Sequence, residues 1–141
     1  SKKIEPFAPI SSRRIAAMKQ LAKSGINTGI LLMPTLPYIT DNEENIKKIM
    51  QIAVDNGASY VIASFGVTMR DRQREYYYKK LEENFPSIKE KYIKKYGNYY
   101  SCRSENSRKL TSIYNEYTVK YNLKKRVEPY NEVVENLRLF S

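Results

Sequence analysis

A parallel α/β arrangement followed by a basic helical extension is the fold class that this 141-residue sequence predicts. Three observations point there. Two apolar runs, 28–33 and 59–65, are continuous rather than alternating, the pattern of strands covered by helices on both faces. Each run follows a helical pattern of apolar spacing across a short Gly-containing connection, which makes a βαβ unit preceded by its helix. Strand signals then stop at Gly66, and the remaining chain is rich in lysine and tyrosine.

Taken in order, Ser11 or Ser12 caps a helix running to about Ser24, with Ile15, Met18 and Leu21 on one face and Gly25 as its left-handed exit. The first strand spans Thr28 to Met33 and halts at Pro34-Thr35-Leu36-Pro37. Asp41 with Glu44 three residues later forms a capping-box start for a second helix, whose inward positions are Ile46, Ile49, Met50 and Ala53 and whose end is Asn56-Gly57. The second strand, Ser59 to Phe65, is closed by Gly66, and the two strands are expected to be parallel with a right-handed crossover. Beyond it come a charged helix over 69–84 containing Tyr76-Tyr77-Tyr78, and a helix opened by a capping box at Pro86 to Glu90 and ended by Gly97-Asn98. A last helix over about 105–121 carries Leu110, Ile113, Tyr117 and Tyr121 on its apolar face. The tail from Lys124 holds Pro129 and an apolar cluster at Leu137 to Phe140. Two segments result: 1–68 with helix, strand, helix and strand, and 69–141 as a basic, Tyr-rich helical extension.

No apolar stretch approaches the roughly 20 residues of a membrane helix, and the opening residues lack the apolar core of a signal peptide. The absence of an initial Met points to a fragment of something longer. One cysteine excludes an internal disulfide, and no histidine removes the commonest general base and metal ligand; a reducing, cytoplasmic setting is expected. The net charge of +10 is concentrated in the second segment, which also holds eleven of the thirteen tyrosines. That combination is compatible with a nucleic-acid surface. Alternation of charge sign along the chain is equally that of a solvated helical face.

Two parallel strands leave open edges, so the partner strands must come from preceding sequence or from another copy of the chain. The apolar edge at Thr28 to Met33 is therefore expected to be exposed and to invite self-association. The residues themselves offer no metal spacing, no nucleophile with its base and no Gly-rich phosphate loop. Glu43-Glu44 belong in a helix first turn, where carboxylates suit the dipole. Cys102 beside Arg103 is either a thiol with a lowered pKa or, more simply, a buried cysteine.

The stretch EPFAPISSRRIAAMKQLAKSGINTGILLMPTLPYITDNEEN resembles the segment after the fourth barrel strand in radical S-adenosylmethionine enzymes of the spore photoproduct lyase and DNA repair photolyase-like type. The shared features are Glu5-Pro6, Ser11-Ser12, Arg14 before an aliphatic residue, Ala17, Lys19, Gly25, Gly29 and the apolar strand ending at Pro34. The continuation from Ser59 to Ser104 is similar to the sixth strand and C-terminal helices of the photolyase-like branch. The resemblance implies the C-terminal part of a partial (β/α)6 barrel, of the TIM-like kind. In that family a CxxxCxxC loop holds a [4Fe-4S] cluster that reduces S-adenosylmethionine to a 5′-deoxyadenosyl radical. With one cysteine this sequence departs from that pattern, so the fragment is expected to lack catalytic residues, to bind no cofactor by itself and to be inactive alone.

What the resemblance carries over is the wall of a pocket. Glu5 and Arg14 match polar positions after the fourth strand, where an Arg pairs with the S-adenosylmethionine carboxylate; a surface salt bridge between the two is the plainer alternative. Pro34, Thr35 and Leu36, and Ser64, Phe65 and Gly66, match strand ends that line the adenosine, although each also serves simply to end a strand. Arg70 and Arg74, with Arg72 nearby, are substrate-side cations if the substrate is nucleic acid. Cys102 is not the family's hydrogen-atom donor, which lies in the missing half. The partners implied are that missing N-terminal half of the barrel and, on the basic side, nucleic acid. A free-standing basic nucleic-acid- or protein-binding module is the alternative.

Overall fold

In the computed structural model, residues 11–129 are described. They form α1 (Ser11–Lys23), β1 (Gly29–Leu32), α2 (Glu43–Asp55), β2 (Tyr60–Ala63), β3 (Gly66–Thr68), α3 (Asp71–Asn84), α4 (Pro86–Tyr96), β4 (Ser101–Arg103) and α5 (Ser107–Lys120). Glu5 and the Leu137 to Phe140 cluster lie outside the described residues.

The first half follows its apolar pattern. β1 and β2 pair in parallel, with Ile30 opposite Val61 and Leu32 opposite Ala63. Alternation along the strands turns Ile30, Leu32, Val61 and Ala63 to one face, and all four join a core with Ile46, Met50 and Ala53 of α2 and Leu110, Ile113 and Tyr114 of α5. Ile46, Met50, Val61 and Leu110 are fully buried, each contributing about 1.5–3 kcal/mol through lost apolar surface. This core draws on both halves of the sequence, because α5 packs directly on α2.

The opposite face corrects the expectation of burial on both sides. Leu31 is 62% exposed, and Met33 just beyond the strand is 43% exposed. A continuous apolar run therefore marks a sheet with one covered face and one bare apolar face. After α5 the chain returns to β2: Val61 N–H donates to the Lys124 carbonyl and Lys124 N–H to the Ser59 carbonyl, both at 2.9 Å, in a parallel bridge. β2 thus has β1 on one edge and the Lys124 segment on the other, while among the described residues β1 pairs with β2 alone.

Strand structure does not stop at Gly66. β3 begins there and pairs antiparallel with β4, Gly66 opposite Arg103 and Thr68 opposite Ser101. Glycine is required by contact: a Cβ at Gly66 would lie 2.7 Å from the Cys102 carbonyl oxygen. These strands have three residues each and are far apart in sequence, so neither carries a readable period.

Two helix starts also differ from expectation. The N-cap of α2 is Asn42, whose side chain accepts from Asn45 N–H at 2.9 Å. Asp41 is instead buried and accepts from the Ser104 hydroxyl, 63 residues away. α4 opens on Pro86 at its first position, where the missing N–H is one that no turn of the helix would have used, and it has no side-chain cap; the Ile88 N–H donates instead to the Phe85 carbonyl at 3.0 Å.

Many tyrosines of the second half are core rather than surface. Tyr92 is fully buried, with the rings of Tyr77 and Tyr96 both 5.3 Å away and that of Tyr38 5.8 Å away. This second core, completed by Met69, Leu81 and Cys102, joins α3 to α4 and reaches the Pro34–Pro37 turn through Leu36 and Tyr38.

Candidate functional site

The C-terminal ends of β1 and β2 open into a cleft of about 670 Å³. Its floor is Met33, Pro34, Ala63, Ser64 and Phe65. One wall is the β3–β4 ladder. Cys102 lies in the tyrosine core and Val67 packs against it, while Gly66, Thr68, Ser101 and Arg103 line the cleft, with Val67 at its edge. The other wall is the face of α5 bearing Ser107, Thr111, Tyr114 and Asn115, spaced three to four residues apart or adjacent around one side of the helix. Gln73 of α3 closes the rim.

The lining is chemically one-sided. Arg103 is its single charged residue, and it holds no carboxylate. Ser64, Thr68, Gln73, Ser101, Ser107, Thr111 and Asn115 supply hydroxyls and amides, against an apolar floor where Phe65 meets Tyr114 edge-on at 6.3 Å. The Tyr114 hydroxyl is used internally, donating to the Val61 carbonyl at 2.7 Å, and burial raises its pKa.

Comparison of the chain with protein-family models, curated proteins and solved structures finds no match. What the cleft does must therefore be read from its own residues.

Of the residues singled out by sequence, Pro34, Ser64, Phe65 and Gly66 meet in this cleft. Thr35 is not among the lining residues; it is buried, with its hydroxyl lacking a hydrogen-bond partner among the described residues. Leu36 packs on the tyrosine core, its N–H donating to Thr40 Oγ1 at 2.8 Å. Arg14 is exposed on α1.

Arg70 and Arg74, both expected as substrate-side cations, part company. Arg70 is exposed at the N-cap of α3, its N–H held by the Gln73 side chain at 3.3 Å. Arg74 is buried and donates to Asp71 at 2.9 Å and to the carbonyls of Asn98 at 2.8 Å, Met69 at 3.1 Å and Tyr99 at 3.3 Å. It clamps the turn before β4 to the start of α3. Cys102 is buried, its thiol directed at the Tyr99 carbonyl at 3.7 Å, and burial pushes its pKa up while Arg74 offsets part of that rise. The alternative of a lowered, reactive thiol is thereby overturned.

Sequence reading missed Gln73, Ser101, Arg103, Ser107, Thr111 and Asn115 as cleft residues. The i, i+4, i+8 hydroxyl and amide stripe Ser107, Thr111, Asn115 was a legible signal, opposite the apolar stripe through Leu110 and Ile113. Among the described residues no set of three His, Cys, Asp or Glu side chains could hold a metal ion. No helix among them is long and apolar enough to cross a membrane.

Proposed function

We propose that this chain is the C-terminal portion of a radical S-adenosylmethionine enzyme of the photolyase-like kind, and that it forms one wall of the cofactor and substrate pocket. The observation that carries the reading is the disposition of the parallel pair. The cleft opens at the C-terminal strand ends, where parallel α/β folds bind ligands. The helix-covered face of β1 and β2 would be the outside of a (β/α)6 barrel, and the bare face bearing Leu31 its interior. Among the described residues the unpaired edge is that of β1, the side on which preceding strands would add, whereas the Lys124 segment closes β2.

The cluster does not fit this chain: iron–sulfur clusters need several thiolates, and its single cysteine is buried in the tyrosine core. S-adenosylmethionine does fit, in part. Pro34 and Phe65 offer apolar surface to an adenine, and Ser64 and Gln73 offer hydrogen bonds to a ribose; the radical chemistry is the cofactor's own. Arg14 remains the candidate for its carboxylate, with Arg70 facing a nucleic-acid substrate in a cytoplasmic DNA-repair role. The first check is the reading frame upstream. It is expected to encode CxxxCxxC, and the full-length protein, reconstituted with iron and sulfide and reduced, to yield 5′-deoxyadenosine from S-adenosylmethionine. An upstream frame without the triad sinks the proposal.

One observation favours a second reading, a nucleic-acid-binding module. Tyr99 and Tyr100 are 72% and 55% exposed at the turn before β4, close to Arg70 and Lys94 in the fold. Bases stack on such rings, and binding would fall steeply with salt. Absence of binding to single-stranded DNA or RNA at low salt disposes of it.

A further inference from the structure

A parallel sheet is normally covered by helices on both faces, and one face of this sheet is bare. Leu31 and Ile62 stand opposite each other on it, in register, and Leu31 and the neighbouring Met33 are exposed. The Tyr60 ring lies across Gly29 on the same face, where a Cβ on that glycine would fall 2.4 Å from the ring. No Asp, Glu, Lys or Arg occurs between Ser24 and Thr40. An uncharged apolar patch of this kind is a surface that something covers.

The chain carries a segment with the matching pattern. Residues 130–141 follow Pro129, the last described residue, and their apolar side chains recur at Tyr130, Val133, Val134, Leu137 and Phe140. That spacing makes one stripe of a helix, with Glu132, Glu135 and Arg138 away from it and Leu139 on the far side. Pro129 suits a first helical position and Glu132 a first turn. The segment's net charge is −1, from Glu132, Glu135 and Arg138, in a chain of net charge +10. Its length also fits: as a helix, 130–140 spans about 16 Å, against about 13 Å for a strand of four residues. So does its starting point. From the Lys124 bridge the chain runs parallel to β2, and Lys125 donates to Asn115 at 2.6 Å while lying over the Tyr114 ring, both cleft residues. Pro129 is four residues further, at most about 14 Å of chain, so the segment begins within reach of the strand ends and of Met33.

We propose that residues 130–140 form an amphipathic helix that docks its Val133, Val134 and Leu137 stripe on the bare face of β1 and β2, over Leu31, Ile62 and Met33. Docking removes apolar surface from water on both partners, and it leaves Glu132 and Glu135 on the solvent side of the helix. It also gives the parallel pair the second cover that its continuous apolar runs call for. In the barrel reading the same face lines the lumen, so the segment must leave before a cofactor enters; the docking itself does not rest on that reading.

Methyl NMR of the 141-residue chain, labelled at Ile, Leu, Met and Val, tests this. Nuclear Overhauser contacts from Leu31 and Ile62 to Val133, Val134 and Leu137 are expected, with helical shifts over 130–140. Leu137→Asp puts a charge into the stripe and is expected to abolish these contacts and to raise binding of an apolar dye severalfold, because the face is uncovered. Leu139→Asp, on the far side of the helix, is expected to change neither. Leu31→Ser removes the other partner without touching the core, since that side chain is exposed, and is expected to act as Leu137→Asp does. Contacts among Ile46, Met50 and Leu110, kept in every variant, report that the chain is folded. Random-coil shifts over 130–140, or equal effects of the two Asp variants, overturn the inference. Contacts that vanish on dilution, or that form between labelled and unlabelled copies, overturn it too, because a second chain then supplies the segment. If the full-length protein cleaves S-adenosylmethionine while this chain shows no such contacts, this inference alone fails; if the upstream cysteine triad is missing, the docking still stands.

Discussion

The Tyr92 hydroxyl donates to the Pro37 carbonyl at 3.0 Å, across 55 residues of sequence, while accepting from the Tyr77 hydroxyl at 3.0 Å. One buried phenol therefore ties the turn after β1 to both α3 and α4. Tyr92→Phe keeps the ring contacts but strands a carbonyl and a hydroxyl in the core, and is expected to lower stability by about 1–3 kcal/mol. Urea denaturation reads it directly. A midpoint equal to that of the parent chain would show that water or a shifted partner replaces the bond.

Arg74→Ala removes the donor to three main-chain carbonyls and to Asp71. Loss on the order of 3 kcal/mol is expected, with Arg74→Lys recovering less than half, since an ammonium cannot span that set of acceptors. Thermal melts of both variants give the comparison. Full recovery by lysine would mean that charge, not the guanidinium fork, is what the site uses.

Burial holds Tyr77 up to about 12 and pushes Tyr92 and Tyr96 upward as well, all from an ordinary value of 10.0. Such groups keep their protons in the folded chain after the unfolded chain has lost them. Their contribution is whole below about pH 10 and is lost as pH climbs through the folded-state values, at about 1.4 kcal/mol per pH unit for each tyrosine once it is ionised in the unfolded chain. Alkaline titration followed by phenolate absorbance and circular dichroism should show the buried tyrosines ionising together with unfolding. Ionisation of every tyrosine without loss of ellipticity contradicts this.

Cys102 is buried with a raised thiol pKa. Its modification by a disulfide reagent at neutral pH is expected to be slow in the native chain and at least about a hundredfold faster in denaturant. Fast labelling of the native chain would show that the β3–β4 wall opens readily.

Asp41 and Asn42 are neighbours with separate duties. Asn42→Ala removes a local cap and should cost about 1 kcal/mol. Asp41→Ala leaves Ser104 without its acceptor in a buried site and should cost more, roughly 2–3 kcal/mol. Chemical denaturation ranks the two; equal losses would mean that the Ser104 contact contributes nothing beyond a cap.

This pair also shows what the sequence could reveal. Asp41 followed by Glu44 has the spacing of a capping box, and spacing cannot show that Ser104 waits 63 residues away. Local chemistry did locate α1, α2, the parallel pair and the glycine exits Gly25 and Gly57, both with positive φ. It failed at β3 and β4, whose pairing depends on Gly66 meeting Cys102 across two intervening helices. At the cleft, the floor was legible because strand ends announce themselves with Pro34 and Gly66. The walls were not, since Arg103 and Ser107 join them only through that long-range ladder and the helix after it.

The Lys124 bridge limits how this sheet could grow. With β2 covered at Ser59 to Val61, the edge left among the described residues for an added strand is that of β1. Two chains meeting there would consume each other's vacancy and end as a closed pair about a twofold axis, with nothing left to propagate a fibre. The short return of the chain after α5 thus acts as a terminator, making the assembly finite whichever strand finally lies against Leu31.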